Sequence, residues 1–226
     1  YNMLSLAQEK LIRSLATKKG RTESGFCLVE GKKNVAEAKG FVEFSFTDKD
    51  SRNFNKLVET VTPQPIAAVA KIPQWELNNL VERPCVVVLD GVQDPGNVGT
   101  ILRLCLGFKA SLLLVESADP SSPKVIRSSA GAFFKVPWCE VMRSEAEAAI
   151  ASLGRPIYRL ENKAGADKSL KKFSAEKAAI LIAGSEGQGI KLSISGTSLQ
   201  ITHDDTLESL NVAAALAISL YAFYSK

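Results

Sequence analysis

The sequence predicts an α/β chain in two domains, a small α/β unit over residues 1–75 and a larger one over residues 85–226 built on a parallel sheet. Three observations predict it. Apolar runs (CVVVLD from Cys85, SLLLV from Ser111, PIYRL from Pro156, ILIA from Ile180) alternate with stretches of helical periodicity, the pattern of repeated βα units. The first run is apolar up to its final aspartate, as in a parallel strand covered on both faces. Residues 76–84 belong to a polar stretch, IPQWELNNLVERP, which is bounded by prolines and reads as a linker.

Taken in order, residues 1 to about 19 carry a helical pattern with Leu4, Leu11, Ile12 and Leu15 apolar, and it is expected to end at Gly20. A short strand from Phe26 to Val29, a glycine turn with Lys32 and Lys33, and a helix beginning near Asn34 follow. In the second domain a helix is expected after DPGN with Asn97 near its start, then another from Ser122 to Phe134 with Pro123 in its first turn. Glu145 to Leu153 gives a further helix. After the variable segment KAGADKSLKKFS come the ILIA strand, a short helix, a segment SLQI, and a long terminal helix. Ser209 is the expected cap of that helix, with Asn211 in its first turn.

Composition narrows the chemistry. A chain of 226 residues, 46% hydrophobic and 23% charged, has enough apolar surface for one good core, or a medium and a small one. Its longest apolar stretch, Val212 to Phe223, is too short for the ~20 residues of a membrane span. The four cysteines show no CxxC spacing and sit mostly in apolar settings, as reduced buried thiols do, so a cytoplasmic location is expected. The only histidine, His203, lies in a polar HDD turn and is expected to be solvated; a Ser-His-Asp triad, a histidine-rich metal site and a zinc finger are thereby disfavoured, and no metal is expected. Residues 1–75 hold 12 Lys/Arg against 8 Asp/Glu, while the rest of the chain is balanced. The excess suits a phosphate-bearing partner.

Three stretches can carry chemistry. VVVLDGVQDPGNVGTILR leads from a strand into a helix; GSEGQG is a glycine turn after a strand, offering backbone groups and the carboxylate of Glu186; SLNVA places a hydroxyl and a carboxamide at a helix mouth. Each taken singly is a common structural device. Together, and in this order, DPGNVGTILR, GSEGQG and SLNVA resemble the three motifs of the SpoU/TrmH branch of the SPOUT RNA methyltransferases. The N-terminal helix, basic turn, FCLVEG strand and TPQPIAAVAKIP look like the L30e-like RNA substrate-binding domain that precedes many SpoU domains.

The resemblance implies a C-terminal trefoil knot, S-adenosyl-L-methionine as cofactor, and methyl transfer to a ribose 2′-OH of rRNA or tRNA, with no DNA or membrane partner. It implies catalytic roles for Arg103, Asn97, Glu186, Ser209 and Asn211, and cofactor contacts at Gly184, Ile201 and Leu210. Arg103 would approach the ribose, and Glu186 would orient Arg103, either within one chain or from across the interface of a homodimer. RNA would be gripped by Arg13, Lys18, Lys19, Arg21, Lys32 and Lys33. The terminal helix, apolar on nearly every face, calls for a second subunit to cover it.

The chain departs from the family pattern in three places. LRLCLG reaches Gly107 about two residues early, roughly 200° of helix; the stretch from Gly184 to Ile201 is also short, and Ile201 is followed by Thr202 and His203 in place of Pro-Met. The first departure motivates an alternative, a catalytically silent RNA-binding protein that keeps the fold. A dinucleotide or phosphate-loop protein is disfavoured because neither GxGxxG nor GxxxxGK[ST] occurs at a strand-to-helix turn.

Overall fold

The computed structural model describes residues 3–58, 64–161, 170–174, 176–204 and 206–225. Of the stretches singled out above, residues 62–63, 163–169 and 205 lie outside the described residues. The chain divides into two units, Tyr1–Gln74 with Asp119–Lys135, and Trp75–Ala118 with Val136–Lys226. Residues 119–135, expected in the second domain, thus group with the first unit.

In the first unit, α1 (Leu6–Ser14) opens with a reciprocal cap: the Ser5 hydroxyl accepts the Gln8 N–H, and the Gln8 side chain accepts the Ser5 N–H. It ends earlier than the apolar pattern suggested, because Thr17 caps a separate helix, α2 (Lys18–Ser24). Gly20 does not stop a helix; it lies inside α2, where an added Cβ would stand 2.0 Å from the Ser14 carbonyl oxygen, so the crossing of the two helices tolerates no side chain there. β1 (Phe26–Glu30), α3 (Lys32–Glu37), β2 (Val42–Thr47), α4 (Phe54–Val58) and β3 (Ile66–Lys71) follow. The three strands form an antiparallel sheet in the order β1-β3-β2. Ile12, Leu15, Leu28, Phe46, Phe54 and Val69 fill its core.

The second unit begins with one helical turn, α5 (Leu77–Leu80). Leu80 is buried in this unit's core, so the stretch expected as a linker is partly anchored. β4 (Cys85–Asp90), α6 (Pro95–Gly107) and β5 (Ala110–Val115) come next. The chain then supplies α7 (Pro123–Ser129) and a 3-10 turn, Ala132–Phe134, to the first unit. The single helix expected over 122–134 is broken by Ala130 and Gly131, which have φ of 49° and 88°. β6 (Trp138–Val141), α8 (Arg143–Ser152), β7 (Ile157–Leu160), α9 (Leu170–Ser174), β8 (Ala179–Gly184), β9 (Thr197–Leu199) and α10 (Val212–Tyr224) complete the unit. β6 was not expected, being a four-residue strand at the sheet edge. The short helix expected after ILIA is absent among the described residues; 185–196 is irregular, closed by a bridge between Ser185 and Gly189.

All six strands of the second sheet are parallel, in the order β6-β5-β4-β8-β7-β9. Val86, Val88, Leu113, Ile150, Ile180 and Ile182 form one layer of its core. From β4 the chain winds outward to β6, then returns on the other side of β4. The carboxyl ends of β4 and β8 therefore lie side by side at the point where the winding reverses, with Asp90 in register with Gly184. Open α/β sheets bind ligands at such points.

Candidate active site

α6 starts at Pro95, two residues before Asn97, because Asp94 caps it. The Asp94 carboxylate accepts the Asn97 N–H at 2.8 Å, and Pro95 occupies the first helical position, where its missing N–H costs no bond. Asn97 is thereby held in the first turn, just past the end of β4. From the turn after β8, Glu186 reaches the same place. Asn97 Nδ2 donates to Glu186 Oε1 at 3.1 Å, and Asn211 Nδ2 donates to that oxygen at 2.7 Å and to Asn97 Oδ1 at 3.1 Å. Asn211 Oδ1 accepts the N–H groups of Ala213 and Ala214, at 3.0 and 3.3 Å, so Asn211 and not Ser209 caps α10. The carboxamide has an acceptor for the helix and a donor for the carboxylate.

Beside this cluster lies a cleft of about 520 Å³, within the ~300–1,000 Å³ of small-molecule pockets. Gly184, Glu186, Gln188, Ser209 and Leu210 line it, with Ala183 and Val212 among its apolar walls. A smaller hollow shares Ser209 and Leu210 with it and adds Leu199, Ile201 and His203. Gly184, Ile201 and Leu210, the three expected cofactor contacts, therefore border these adjoining spaces. A Cβ on Gly184 would stand 2.0 Å from the Gly189 carbonyl carbon, so the chain closes on itself here only because Gly184 lacks a side chain, while Gly189 takes a left-handed φ of 62°. His203 is partly buried rather than solvated, with Nδ1 2.7 Å from the Ile201 carbonyl oxygen.

Arg103 sits apart from the cluster. It is exposed on α6, six residues beyond Asn97, about 9 Å along the axis and ~240° around it. Among the described residues no hydrogen bond or ion pair engages it, and the two asparagines both donate to Oε1 of Glu186. The sequence reading missed Asp90. Its side chain is fully buried, accepts the N–H groups of Lys191 and Leu192 at 2.6 and 2.8 Å, and meets Arg143 Nη1 at 2.8 Å. A carboxylate ending an otherwise apolar buried strand was the signal available. Three of the four cysteines are not poised as nucleophiles: burial pushes the Cys27 and Cys105 thiols far up, and burial with Glu76 raises Cys139 to about 11.

All six residues expected to grip RNA lie in the first unit. Arg13, Lys18, Lys19, Lys32 and Lys33 are exposed; Arg13 and Lys19 face Glu9 and Glu23 at 3.9 and 3.7 Å, pairs that water screens to a few tenths of a kcal/mol. Arg21 differs from that expectation. It is buried and bonded to the Leu15 carbonyl at 2.7 Å, to Ser121 Oγ at 3.2 Å and to Asp119 at 2.5 Å, so each guanidinium nitrogen is engaged inside the fold and burial closes the side chain to a phosphate.

A family model described as the SpoU rRNA Methylase family matches residues 84–221. Over 237 aligned residues the chain is 31% identical to the 23S rRNA (guanosine(2553)-2′-O)-methyltransferase RlmP of Bacillus subtilis, with 92% of each chain covered. A TrmH-family structure from Porphyromonas gingivalis superposes with a TM-score of 0.83 at 32% identity over 99% of both chains. The AdoMet-bound rRNA methyltransferase from Sinorhizobium meliloti also gives a TM-score of 0.83, over 99% of this chain and 97% of that one; at 23% identity the likeness is one of fold.

Proposed function

This chain belongs to the SpoU rRNA methylase family, and from that premise we propose that it transfers a methyl group from S-adenosylmethionine to a ribose 2′-OH of rRNA or tRNA. The meeting of Asn97, Glu186 and Asn211 beside a cleft at the sheet's switch point supports this most directly. The cleft fits the cofactor chemically. Its apolar walls suit an adenine ring, the backbone around Gly184 and Ile201 offers polar edges, and Glu186 and Glu208 bring negative charge near a sulfonium. When bound, S-adenosylmethionine supplies an electrophilic methyl group on a positively charged sulfur.

The remaining work falls to the side chains. Asn97, Glu186 and Asn211 hold the mouths of α6 and α10 against the turn after β8, which keeps the cleft in one shape. Ser209, on the rim, is placed to hydrogen-bond the substrate or cofactor. Arg103 stays protonated, so it acts by orienting the target ribose and phosphate and by stabilising the alkoxide that develops as the hydroxyl loses its proton. The exposed lysines of the first unit, with Arg13, hold RNA phosphates. The catalytically silent alternative is not favoured: α6 runs unbroken from Pro95 to Gly107 despite the shortened motif and presents Arg103 to solvent.

Whole-chain calorimetry is expected to show saturable binding of S-adenosylmethionine and of its demethylated product. Labelled methyl groups transferred to RNA should survive alkaline hydrolysis within dinucleotides, because a methylated 2′-oxygen cannot attack its neighbouring phosphate. A folded protein that binds neither ligand, or label recovered only in mononucleotides, overturns the assignment.

The trefoil knot, the L30e-like N-terminal fold, a cytoplasmic location and a C2 homodimer belong to the same proposal. Among the described residues no helix is long and apolar enough to cross a membrane. The dimer has its own support: α10 buries Val212, Leu216, Leu220 and Phe223 within the subunit yet exposes Ile218, Tyr221 and Tyr224, the two tyrosines packing edge-on against Phe108 of α6. Light scattering should give twice the chain mass at micromolar concentration in moderate salt. A monomer mass would remove the dimer and any role for Glu186 across it.

A further inference from the structure

We propose that Asp90 is a positioning residue for the cofactor cleft, holding the segment after Gly189 in the shape that S-adenosylmethionine requires; this rests on the reading of the cleft given above. The segment 185–196 has no regular secondary structure, so its backbone N–H groups need partners from elsewhere. Three consecutive ones find them on two carboxylates. Asp90 accepts from Lys191 and Leu192, at 2.6 and 2.8 Å, and Glu147 accepts from Ser193 at 2.8 Å. Such charge-assisted bonds are about twice as strong as neutral ones.

The other Asp90 oxygen lies 2.8 Å from Arg143 Nη1, and Arg143 Nε donates to Glu116 at 3.1 Å. One carboxylate oxygen thus serves the segment, and the other faces the guanidinium as an ion pair without hydrogen-bond alignment. Immediately upstream, Gln188, Gly189 and Ile190 form a wall of the cleft, and the Gly189 N–H bonds to the Ser185 carbonyl at 2.9 Å to close the turn that carries Glu186. Downstream, Leu192 is buried in the core. The wall is pinned at both ends, and Asp90, with Glu147 beyond it, supplies the pins that are not local in sequence. Asp90 is also the last residue of β4, a central strand beside β8, so this pin is as rigid as the sheet.

Asp90→Asn separates this role from bulk packing, because it keeps the shape and removes one acceptor. Its carboxamide oxygen reaches the Lys191 and Leu192 amides only by turning its own N–H groups towards Arg143, donor against donor. The expected result is a protein with native circular dichroism that binds S-adenosylmethionine at least tenfold more weakly, with a matching rise in its KM and a kcat at saturating cofactor within threefold of wild type. Arg143→Met should weaken binding about threefold, and Arg143→Lys, which keeps a cation opposite Asp90, should restore it to within twofold. A folded Asp90→Asn protein with unchanged cofactor affinity, or with a lower kcat and unchanged affinity, overturns the proposal. Should Asp90→Asn fail to fold, the Arg143 pair decides: unchanged affinity in Arg143→Met overturns it, and a loss rescued by Lys supports it. Wild-type protein that binds no S-adenosylmethionine instead refutes the reading of the cleft itself.

Discussion

Arg103→Ala is expected to lower the single-turnover rate of methyl transfer by roughly 10²- to 10³-fold, the cost of removing one group that stabilises developing negative charge. The position makes the experiment clean. Arg103 is exposed and engages no side chain or carbonyl among the described residues, so its truncation should change stability by no more than about 0.5 kcal/mol. Cofactor affinity should also hold, because Arg103 is not among the residues bordering the cleft. Arg103→Lys keeps the charge but loses the planar fork and should recover only part of the rate. If Arg103→Ala transfers methyl groups within threefold of wild type while binding RNA and cofactor normally, charge stabilisation by this side chain is refuted.

Arg21→Met should destabilise the first unit by about 3–5 kcal/mol, the cost of leaving one partner of a buried ion pair without the other. Arg21 and Asp119 side chains are 5% and 12% exposed, so water cannot take the place of the lost guanidinium. Native-state hydrogen exchange of the β1 amides reads this unit separately, and unchanged protection would show the network to be dispensable. Acid gives a second test. Burial pushes the Asp119 carboxyl upward, but hydrogen bonds from Ser121 and Arg21 and the Arg21 charge outweigh it and hold the pKa below the ordinary value. The group's stabilisation is therefore complete above the unfolded pKa of about 3.9 and is lost as pH falls through the lower folded value. Wild-type protection should fall over that window, and Arg21→Met should show a smaller fall.

Much of the fold was legible because it is written in short windows. CVVVLD, SLLLV and ILIA are apolar enough to be buried strands in any arrangement, and the terminal helix was expected within three residues of its observed start. Local signals also misled where two of them competed. Gly20 read as a stop but is a close approach between helices; Ser209 read as a cap but lies two residues ahead of Asn211, whose carboxamide both caps the helix and holds Glu186. β2 and β6 escaped notice because edge strands are short or alternate, and carry little apolar signal.

The sequence by itself determined which residue types stand after which strands, and so that Asn97, Glu186 and Asn211 would each lie at the carboxyl end of a strand or the mouth of a helix. Only the tertiary structure decided that they meet. Asn97 and Glu186 are 89 positions apart, and they touch because β8 inserts beside β4, a strand order that no local periodicity specifies. The same order brings Asp90 to Lys191, 101 positions away, and burial of a different kind takes Arg21 out of solvent and onto Asp119, 98 positions away. Propensity and capping act over one or two turns, whereas the choice of neighbour is made by which faces bury one another and which buried charges find a partner.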